Sequence, residues 1–276
     1  MPLREGAGRP VFLLHSVAGN VFEWHDLLAR LDTNRPIVAV QARGLDPNCT
    51  PSSSVEDMAA DYVALIQEHQ PHGPYALMGY SFGGLLAYEI AVRLNRAGEP
   101  IEFVGLLDTD VHDRALPLVP WLRFRLERLS HFRHRSEALG VSGLVQRVLA
   151  KLRREQHQTG ILRVEPATGG HANLPPVLRQ VRIACEKAFD TYKPPRHPLA
   201  VTFFRSPERR PYFCDPLMVW RRNAGAVRVI DVPGNHTTMM LEPHVSALAV
   251  EIARCLAPEE AAPADPPASF QAVAYA

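Results

Sequence analysis

The residues best placed to do chemistry form the stretch GYSFGG at 79–84, which sets a serine between glycines where an apolar run ends and a helical pattern begins. The spacing of Gly79, Ser81 and Gly83 is typical of a nucleophile elbow between a strand and a helix. Glycines suit so sharp a turn because the two backbones approach too closely for side chains. A helix starting after the serine also presents free N–H groups beside its oxygen. The stretch predicts a nucleophile at Ser81; the alternative is a turn that only packs a helix onto a strand.

A serine nucleophile needs a base, and the base needs an acid that orients it, in the chain order serine, acid, histidine for an elbow of this kind. Of the twelve histidines, His236 fits best, because it lies in VPGNHTTMM between the last predicted strand and the last predicted helix. That loop reaches the same end of a parallel sheet as Ser81. His15, which ends the first predicted strand, and His244, which opens the last helix, are weaker rivals.

Two aspartates compete for the role of the acid. Asp108 ends IEFVGLLD, the strand after the nucleophile helix, so its carboxylate emerges at the carboxyl edge of the sheet. Asp215 follows the next strand, but Asp followed by Pro is also a good helix opening. Asp110 lies outside the strand and is less firmly held. Position favours Asp108 and leaves Asp215 open.

A tetrahedral intermediate at the serine needs hydrogen-bond donors aimed at its oxyanion. The backbone N–H of Phe82, directly after the serine, is one expected donor. The other should come from HSVAGN at 15–20, the loop after the first core strand, where an Ala-Gly turn allows a close backbone approach. Val17 is the predicted donor in that loop.

The elements that must position these residues alternate along the chain. Helical patterns cover 81–97 and 245–256, each with one apolar face. The candidate strands are apolar on both sides, as in a buried parallel sheet; they are PVFLLH (10–15), PIVAVQ (36–41), PYALMG (74–79), IEFVGLLD (101–108), LAVTFF (199–204) and AVRVIDV (226–232). The alternation predicts one α/β domain with a mainly parallel sheet flanked by helices.

A long insertion interrupts this alternation between about 111 and 195, where no strand pattern is visible. Three amphipathic helical stretches occupy it, marked by Trp121, Leu122, Leu126 and Leu129, by Leu144, Val145, Val148 and Leu152, and by Val177, Val181, Ala184, Ala188 and Tyr192. We expect the domain to cover 1–258, and the Ala/Pro-rich segment 259–276 to be a disordered tail.

Composition excludes several function classes. The 276 residues are 46% hydrophobic with a formal net charge of +1, which gives no reason to expect a nucleic-acid partner. The four cysteines are scattered without metal-ligand spacing, so no metal site is expected. No signal peptide and no apolar run long enough for a membrane helix is visible, which predicts no membrane partner and a cytoplasmic location.

With these residues in place, the chain resembles the type I, chain-releasing thioesterase domains of non-ribosomal peptide and polyketide synthases, in the α/β-hydrolase superfamily. The resemblance covers nearly the whole chain. It is carried by the H-x-x-x-G loop at 15–19, VQARGL at 40–45, GYSFGG at 79–84, GLLD at 105–108 and PGNH at 233–236. It implies an α/β-hydrolase fold with a helical lid at 111–195, and a catalytic triad of Ser81, Asp108 and His236.

The implied substrate is an acyl thioester on the phosphopantetheine arm of an acyl or peptidyl carrier protein, with no cofactor bound by the domain itself. Release through acyl-Ser81 is expected by hydrolysis or macrocyclisation. Rivals are a stand-alone editing (type II) thioesterase, a small-ester esterase of the same fold, and a binding protein without turnover. The segment PLREGAGRP resembles the linker from a carrier domain, which favours a chain-releasing domain.

The insertion supplies two further hypotheses. Residues 121–157 contain nine Arg/Lys against three Glu, so this stretch either contacts an acidic carrier protein or is a solvated helix face. If it contacts the carrier, charge reversal at Arg125 and Arg128 should raise KM for carrier-bound substrates only. Its aromatic residues either shape an apolar chamber or pack the insertion onto the sheet; they are Trp121, Phe124 and Phe132.

Overall fold

The computed structural model of the chain describes residues 1–46, 48–126, 174–208 and 214–257. A seven-stranded sheet runs through these ranges in the order β1-β3-β2-β4-β5-β6-β7. Only β1 is antiparallel to its neighbour; every other pair is parallel. The strands are β1 (Pro2–Arg4), β2 (Val11–Leu14), β3 (Ile37–Val40), β4 (Tyr75–Tyr80), β5 (Ile101–Leu107), β6 (His197–Arg205) and β7 (Ala224–Asp231).

The six predicted strands are all present, and the structure adds an edge strand that the sequence analysis assigned to a linker. Pro2–Arg4 pairs with β3, and next to it the Met1 ammonium donates to the Ala39 carbonyl over 3.0 Å. The linker interpretation is therefore wrong for these three residues. An edge strand of three residues, only partly buried, lacks the apolar run by which buried strands are recognised.

Seven α-helices accompany the sheet in the described ranges. They are α1 (His25–Arg30), α2 (Val55–His69), α3 (Phe82–Arg96), α4 (118–126, its described part), α5 (Pro176–Thr191), α6 (Leu217–Asn223) and α7 (Val245–Leu256). Three of them match predicted helices: α3 the one at 81–97, α7 the one at 245–256, and α5 the stretch marked by Val177 to Tyr192. No prediction covered α2, whose first turn is capped by the Ser54 hydroxyl accepting the Asp57 N–H over 3.1 Å.

Both faces of the sheet are covered, which explains the continuous apolar runs of its strands. In β2, Phe12 and Leu14 belong to the core shared with α2 and α3. The alternate residues Val11 and Leu13 belong to the core shared with α1 and α7. This alternation confirms the predicted class, a mainly parallel sheet flanked by helices.

The chain order of the strands creates a switch point between β2 and β4. From β2 the chain passes to β3 on one side of the sheet and returns to β4 on the other. At such a point the connections leave in opposite directions, and a crevice opens beyond the carboxyl ends of the strands. The loop that contains Val17 and the elbow at Ser81 follow these two strands, so both lie at this edge.

The insertion is described only where it leaves and rejoins the sheet. Residues 118–126 are helical, and α5 packs through buried Val181, Cys185 and Ala188 onto the core of α2 and α3. The predictions for Leu129, Phe132, Arg128, the stretch 144–152 and the tail 259–276 lie outside the described residues. None of the helices in the described ranges has the length and apolar composition needed to cross a bilayer.

Candidate active site

Ser81 occupies a strained turn between β4 and α3. Its backbone has φ 55° and ψ −119°, a region that L-residues rarely adopt and that costs about 1–3 kcal/mol. The Ser81 N–H donates to the Leu107 carbonyl over 2.9 Å, which ties the turn to the end of β5. The strain directs the serine side chain away from both elements, as the predicted elbow requires.

The glycines of the elbow are required by close backbone contacts. A Cβ at Gly79 would overlap the carbonyl oxygen of Gly83. A Cβ at Gly83 would lie 2.6 Å from the Leu14 carbonyl oxygen and 2.7 Å from that of His15. The start of α3 is thereby pressed against the end of β2, where the loop with Val17 begins.

His236 lies in the loop after β7, which side-chain hydrogen bonds hold in shape. Gly234 has φ 89°, and the Asn235 Oδ1 accepts the N–H groups of Thr237 and Thr238, each over 3.0 Å. The Thr238 hydroxyl in turn accepts the Asn235 N–H over 3.0 Å. The loop directs His236 back over the sheet edge, towards β4 and β5.

The structure brings Ser81, Asp108 and His236 together in one hydrogen-bonded chain. The Nδ1 of His236 is 2.8 Å from Asp108 Oδ2, and its Nε2 is 3.0 Å from Ser81 Oγ. A carboxylate only accepts, so Nδ1 carries the proton and Nε2 accepts from the serine hydroxyl. Ser81 is 8% exposed and His236 6%, so solvent screens these two hydrogen bonds little. Such an arrangement can remove a proton from the serine and return it to a leaving group.

Asp108 is held as firmly as the serine. Its φ of 43° makes it, with Ser81, one of two non-glycine residues with positive φ in the described part of the chain. Its N–H donates to the Phe204 carbonyl over 2.8 Å, and its Oδ1 accepts the Ser206 N–H over 3.2 Å. Both carboxylate oxygens therefore have partners: the backbone N–H of Ser206, directly after β6, and the Nδ1 of His236.

Two further residues, Ser206 and Tyr80, support the hydrogen-bonded group of Ser81, His236 and Asp108 and were not predicted from the sequence. The Ser206 hydroxyl donates to the Gly234 carbonyl over 3.0 Å, which joins the loop after β6 to the His236 loop. The Tyr80 hydroxyl donates to the His236 carbonyl, and its ring stacks on the imidazole at 5.1 Å between centroids. Tyr80 is the first of the two variable residues of the G-x-S-x-G pattern, and an aromatic side chain next to the serine was the available signal.

The rival acid is hydrogen-bonded at the start of a helix, one residue before the N-cap Pro216. The Asp215 Oδ1 accepts the Leu217 N–H over 3.0 Å at the start of α6, which is the alternative role considered from the Asp-Pro sequence. Asp110 lies beyond the end of β5.

The rival histidines are engaged elsewhere. His244 is the N-cap residue of α7, and its ring lies against Gly234. His15 is fully buried and hydrogen-bonded to Tyr62 and Ser16. Burial lowers the pKa of His15 to about 4, against a smaller opposing effect of the Ser16 backbone.

The predicted oxyanion donors lie on the two elements that meet at the serine. Phe82 is the first residue of α3, so its N–H has no acceptor within the helix. Val17 is 7% exposed in the loop after β2.

Among the described residues no group of three His, Cys, Asp or Glu side chains could hold a metal ion.

Comparison with known proteins places this geometry in context. A family model described as "Thioesterase domain" matches residues 9–255. The chain is 30% identical over 263 residues to aspulvinone E synthetase of Aspergillus terreus, covering 88% of this chain and 27% of that protein. It is 41% identical over 117 residues to malpinin synthetase of Mortierella alpina, covering 42% of this chain and 2% of that protein. The chain thus spans a small part of the curated relatives it matches.

A solved structure shares the fold. The NocB thioesterase domain, in covalent complex with a fluorophosphonate nocardicin G analog, superposes with a TM-score of 0.61. The match covers 92% of this chain and 96% of that one at 21% sequence identity. At this identity the likeness concerns the fold alone.

Proposed function

The chain belongs to the thioesterase domain family, and on that premise we propose that it releases an acyl chain from a carrier-protein thioester through an acyl-serine intermediate. The observation that carries the proposal is the hydrogen-bonded chain from Ser81 through His236 to Asp108, with distances of 3.0 and 2.8 Å. In this proposal Ser81 is the nucleophile, His236 the general base and acid, and Asp108 the acid that orients it.

The first half of the reaction forms the acyl-enzyme. His236 Nε2 takes the proton of the Ser81 hydroxyl while Oγ attacks the thioester carbonyl carbon. The N–H groups of Val17 and Phe82 donate to the resulting oxyanion. The C–S bond then breaks, His236 returns the proton to the departing thiolate, and the acyl group remains as an ester on Ser81. Asp108 keeps the Nδ1 proton in place and stabilises the imidazolium between these transfers.

The second half releases the product by the same route in reverse. Water, or a hydroxyl or amine of the acyl chain itself, gives its proton to His236 and attacks the ester carbonyl. The proton then passes to Ser81 Oγ as the ester bond breaks. Attack by water yields the free acid, and attack from within the chain yields a macrocycle.

We assign the thioester to the phosphopantetheine arm of an acyl or peptidyl carrier protein. The support is that the matched segments make up 27% of one synthetase and 2% of another, so in these relatives the similar segment belongs to a much longer chain. The same proposal treats 1–258 as the releasing domain, 111–195 as its lid and 259–276 as a tail.

Docking of a carrier on the insertion needs a better probe than Arg125. Its guanidinium is 3.5 Å from Asp113 Oδ2 and 5.2 Å from the Trp121 ring centre, so reversing its charge also disturbs the protein's own contacts. Arg123 is exposed on the same helix. Arg123→Glu should raise KM for a carrier-bound thioester about threefold or more and leave KM for a small thioester unchanged. Equal effects on both substrates would contradict the docking hypothesis.

The proposed function is tested with N-acetylcysteamine thioesters of increasing acyl length, given to the wild type and to Ser81→Ala. Free thiol and product mass are followed together. Turnover by the wild type alone supports the proposal, and a product lighter by one water than the acid indicates cyclisation. Cleavage of small oxygen esters without thioester turnover would favour a plain esterase, and preference for short misloaded acyl groups on a carrier would favour an editing enzyme. Absence of all turnover would favour a binding protein.

A further inference from the structure

Both backbone groups of Ser16, the residue before the proposed oxyanion donor Val17, are hydrogen-bonded to side chains, one of the fully buried His15 and one of the partly buried Glu23. Its carbonyl oxygen is 2.7 Å from the Nδ1 of His15 and also accepts the Gly19 N–H over 3.0 Å. Its N–H donates to the Glu23 carboxylate over 2.7 Å. Ser16 itself is 6% exposed, so both bonds are shielded from competing water. Hydrogen bonds on both sides fix the backbone orientation at this one residue of the loop.

The protonation of His15 follows from its partners. A carbonyl oxygen only accepts, so Nδ1 must carry the proton, and Nε2 accepts from the Tyr62 hydroxyl over 2.8 Å. Full burial favours the neutral ring and lowers the pKa of His15 to about 4. The imidazole lies between two aromatic rings, with its centroid 5.6 Å from that of Tyr62 and 6.1 Å from that of Phe82. His15 is therefore a fixed neutral donor whose bond to Ser16 has one direction.

The bond to the Ser16 carbonyl also sets the direction of the next N–H. The Ser16 carbonyl and the Val17 N–H belong to one peptide unit, which is planar and places the two groups on opposite sides. Fixing the carbonyl on the His15 side therefore fixes where the N–H points. A hydrogen bond at a carbonyl also polarises its amide, which makes the N–H a stronger donor.

We propose that His15 is a positioning residue for the oxyanion site: its Nδ1–H holds the Ser16 carbonyl and thereby aims the Val17 N–H at the reacting carbonyl. The inference rests on the proposed function, since the oxyanion exists only if Ser81 attacks an acyl group. It gives a role to His15, a buried histidine that is not hydrogen-bonded to Ser81, His236 or Asp108. The His15 imidazole also lies 6.1 Å from the ring of Phe82, whose backbone N–H is the second proposed donor.

A pair of amide variants separates this role from simple packing. In His15→Asn the side-chain NH₂ falls close to the position of Nδ1 and can still donate to the Ser16 carbonyl. In His15→Gln the longer chain carries the NH₂ towards the position of Nε2 and loses that bond. We expect kcat for an acyl thioester to fall about 10- to 100-fold in His15→Gln, below the full loss of an oxyanion donor. His15→Asn should stay within about threefold of wild type, with KM changed less than about twofold in both.

A second readout reports the oxyanion directly. An alkyl trifluoromethyl ketone forms a tetrahedral oxyanion adduct with a nucleophilic serine, so its inhibition constant should rise in His15→Gln by about the same factor as kcat falls. Tyr75→Phe is the matched control, because Tyr75 is equally buried and its hydroxyl donates to the Gln70 carbonyl, at the opposite end of β4 from Ser81. It should lower the urea midpoint without changing kcat or inhibition.

The outcomes distinguish this inference from the proposed function. Equal kcat in His15→Gln and His15→Asn, whether both normal or both reduced, overturns the positioning role while wild-type turnover still supports the thioesterase. If only small oxygen esters are cleaved, the same pair is measured with the ester, because its tetrahedral intermediate needs the same donors. If the wild type shows no turnover that depends on Ser81, both proposals fail.

Discussion

Two buried histidines at the carboxyl edge of one sheet differ in the partner of a single ring nitrogen. His15 is 0% exposed and His236 6% exposed, and each is hydrogen-bonded through both nitrogens. The Nδ1 of His236 donates to the Asp108 carboxylate, whereas that of His15 donates to the Ser16 carbonyl. A carboxylate stabilises the imidazolium that forms during proton transfer, and a carbonyl dipole does so far less. The partner of Nδ1 thus suits one histidine to carry a proton and the other to hold a loop.

Removal of the His236 imidazole should reduce activity more than any other change at these two sites. His236→Ala should lower kcat for thioester turnover by about 10⁵-fold, because Ser81 loses its base and the thiol its acid. His15→Asn, at the other histidine, should retain nearly full activity. Single-turnover measurement of acyl-enzyme formation checks both variants. Comparable losses in the two would show that the histidines are not divided in role.

Substitution of Asp108 tests the partner of Nδ1, which distinguishes His236 from His15. Asp108→Asn should lower kcat by about 10⁴-fold, since an amide can donate to Nδ1 and hold the wrong tautomer. Asparagine tolerates positive φ, so the backbone of residue 108, at φ 43°, should be kept. Asp215→Asn is the matched control, because asparagine also caps helices and α6 should remain capped. Loss of activity in Asp215→Asn with retention in Asp108→Asn would exchange the two assignments.

The neutral state of His15 predicts a pH dependence of stability. Its pKa is lowered to about 4 in the folded chain, and a histidine in an unfolded chain titrates near 6.5. As the pH falls, the unfolded chain binds the proton first, so stability is lost between about pH 6.5 and pH 4. From pH 7.5 to 4.5 this residue should lower the free energy of unfolding by about 2–3 kcal/mol. Urea unfolding at both pH values checks this, and His15→Asn should lose that much less than wild type; equal losses would contradict it.

The proximity of Ser81, Asp108 and His236 could be predicted from the sequence because each residue lies at a position that strand order controls. Ser81 follows β4 and Asp108 follows β5, two strands whose runs are apolar on both faces and which pair in parallel. Parallel strands end at the same edge, so chemistry placed directly after each of them converges. The same reasoning placed His236 after β7, although the sheet order then sets it two strands away from Asp108.

The contacts that hold those three residues could not be predicted in the same way. Tyr80 and Ser206 bond to backbone groups of the distant loop that contains His236, and such pairs depend on strand register and loop shape. Nothing in the residue types indicates these contacts, because a tyrosine and a serine are common at loop positions. β1 was missed for a related reason, since its place is fixed by pairing with β3 and not by an apolar pattern of its own.

Removal of one hydroxyl group that supports each histidine should change activity least. Ser206→Ala deletes the bond to the Gly234 carbonyl but keeps the backbone N–H that donates to Asp108. A hydrogen bond of this kind is worth about 1 kcal/mol, so we expect kcat to fall about three- to tenfold as the His236 loop loosens. Tyr62→Phe deletes the bond to His15 Nε2 and leaves the Ser16 carbonyl bond in place, so its effect on kcat should be about threefold or less. Steady-state kinetics with one thioester measures both variants. A larger loss in Tyr62→Phe than in Ser206→Ala would mean that the His15 site depends on its tautomer more than the His236 loop depends on its anchor.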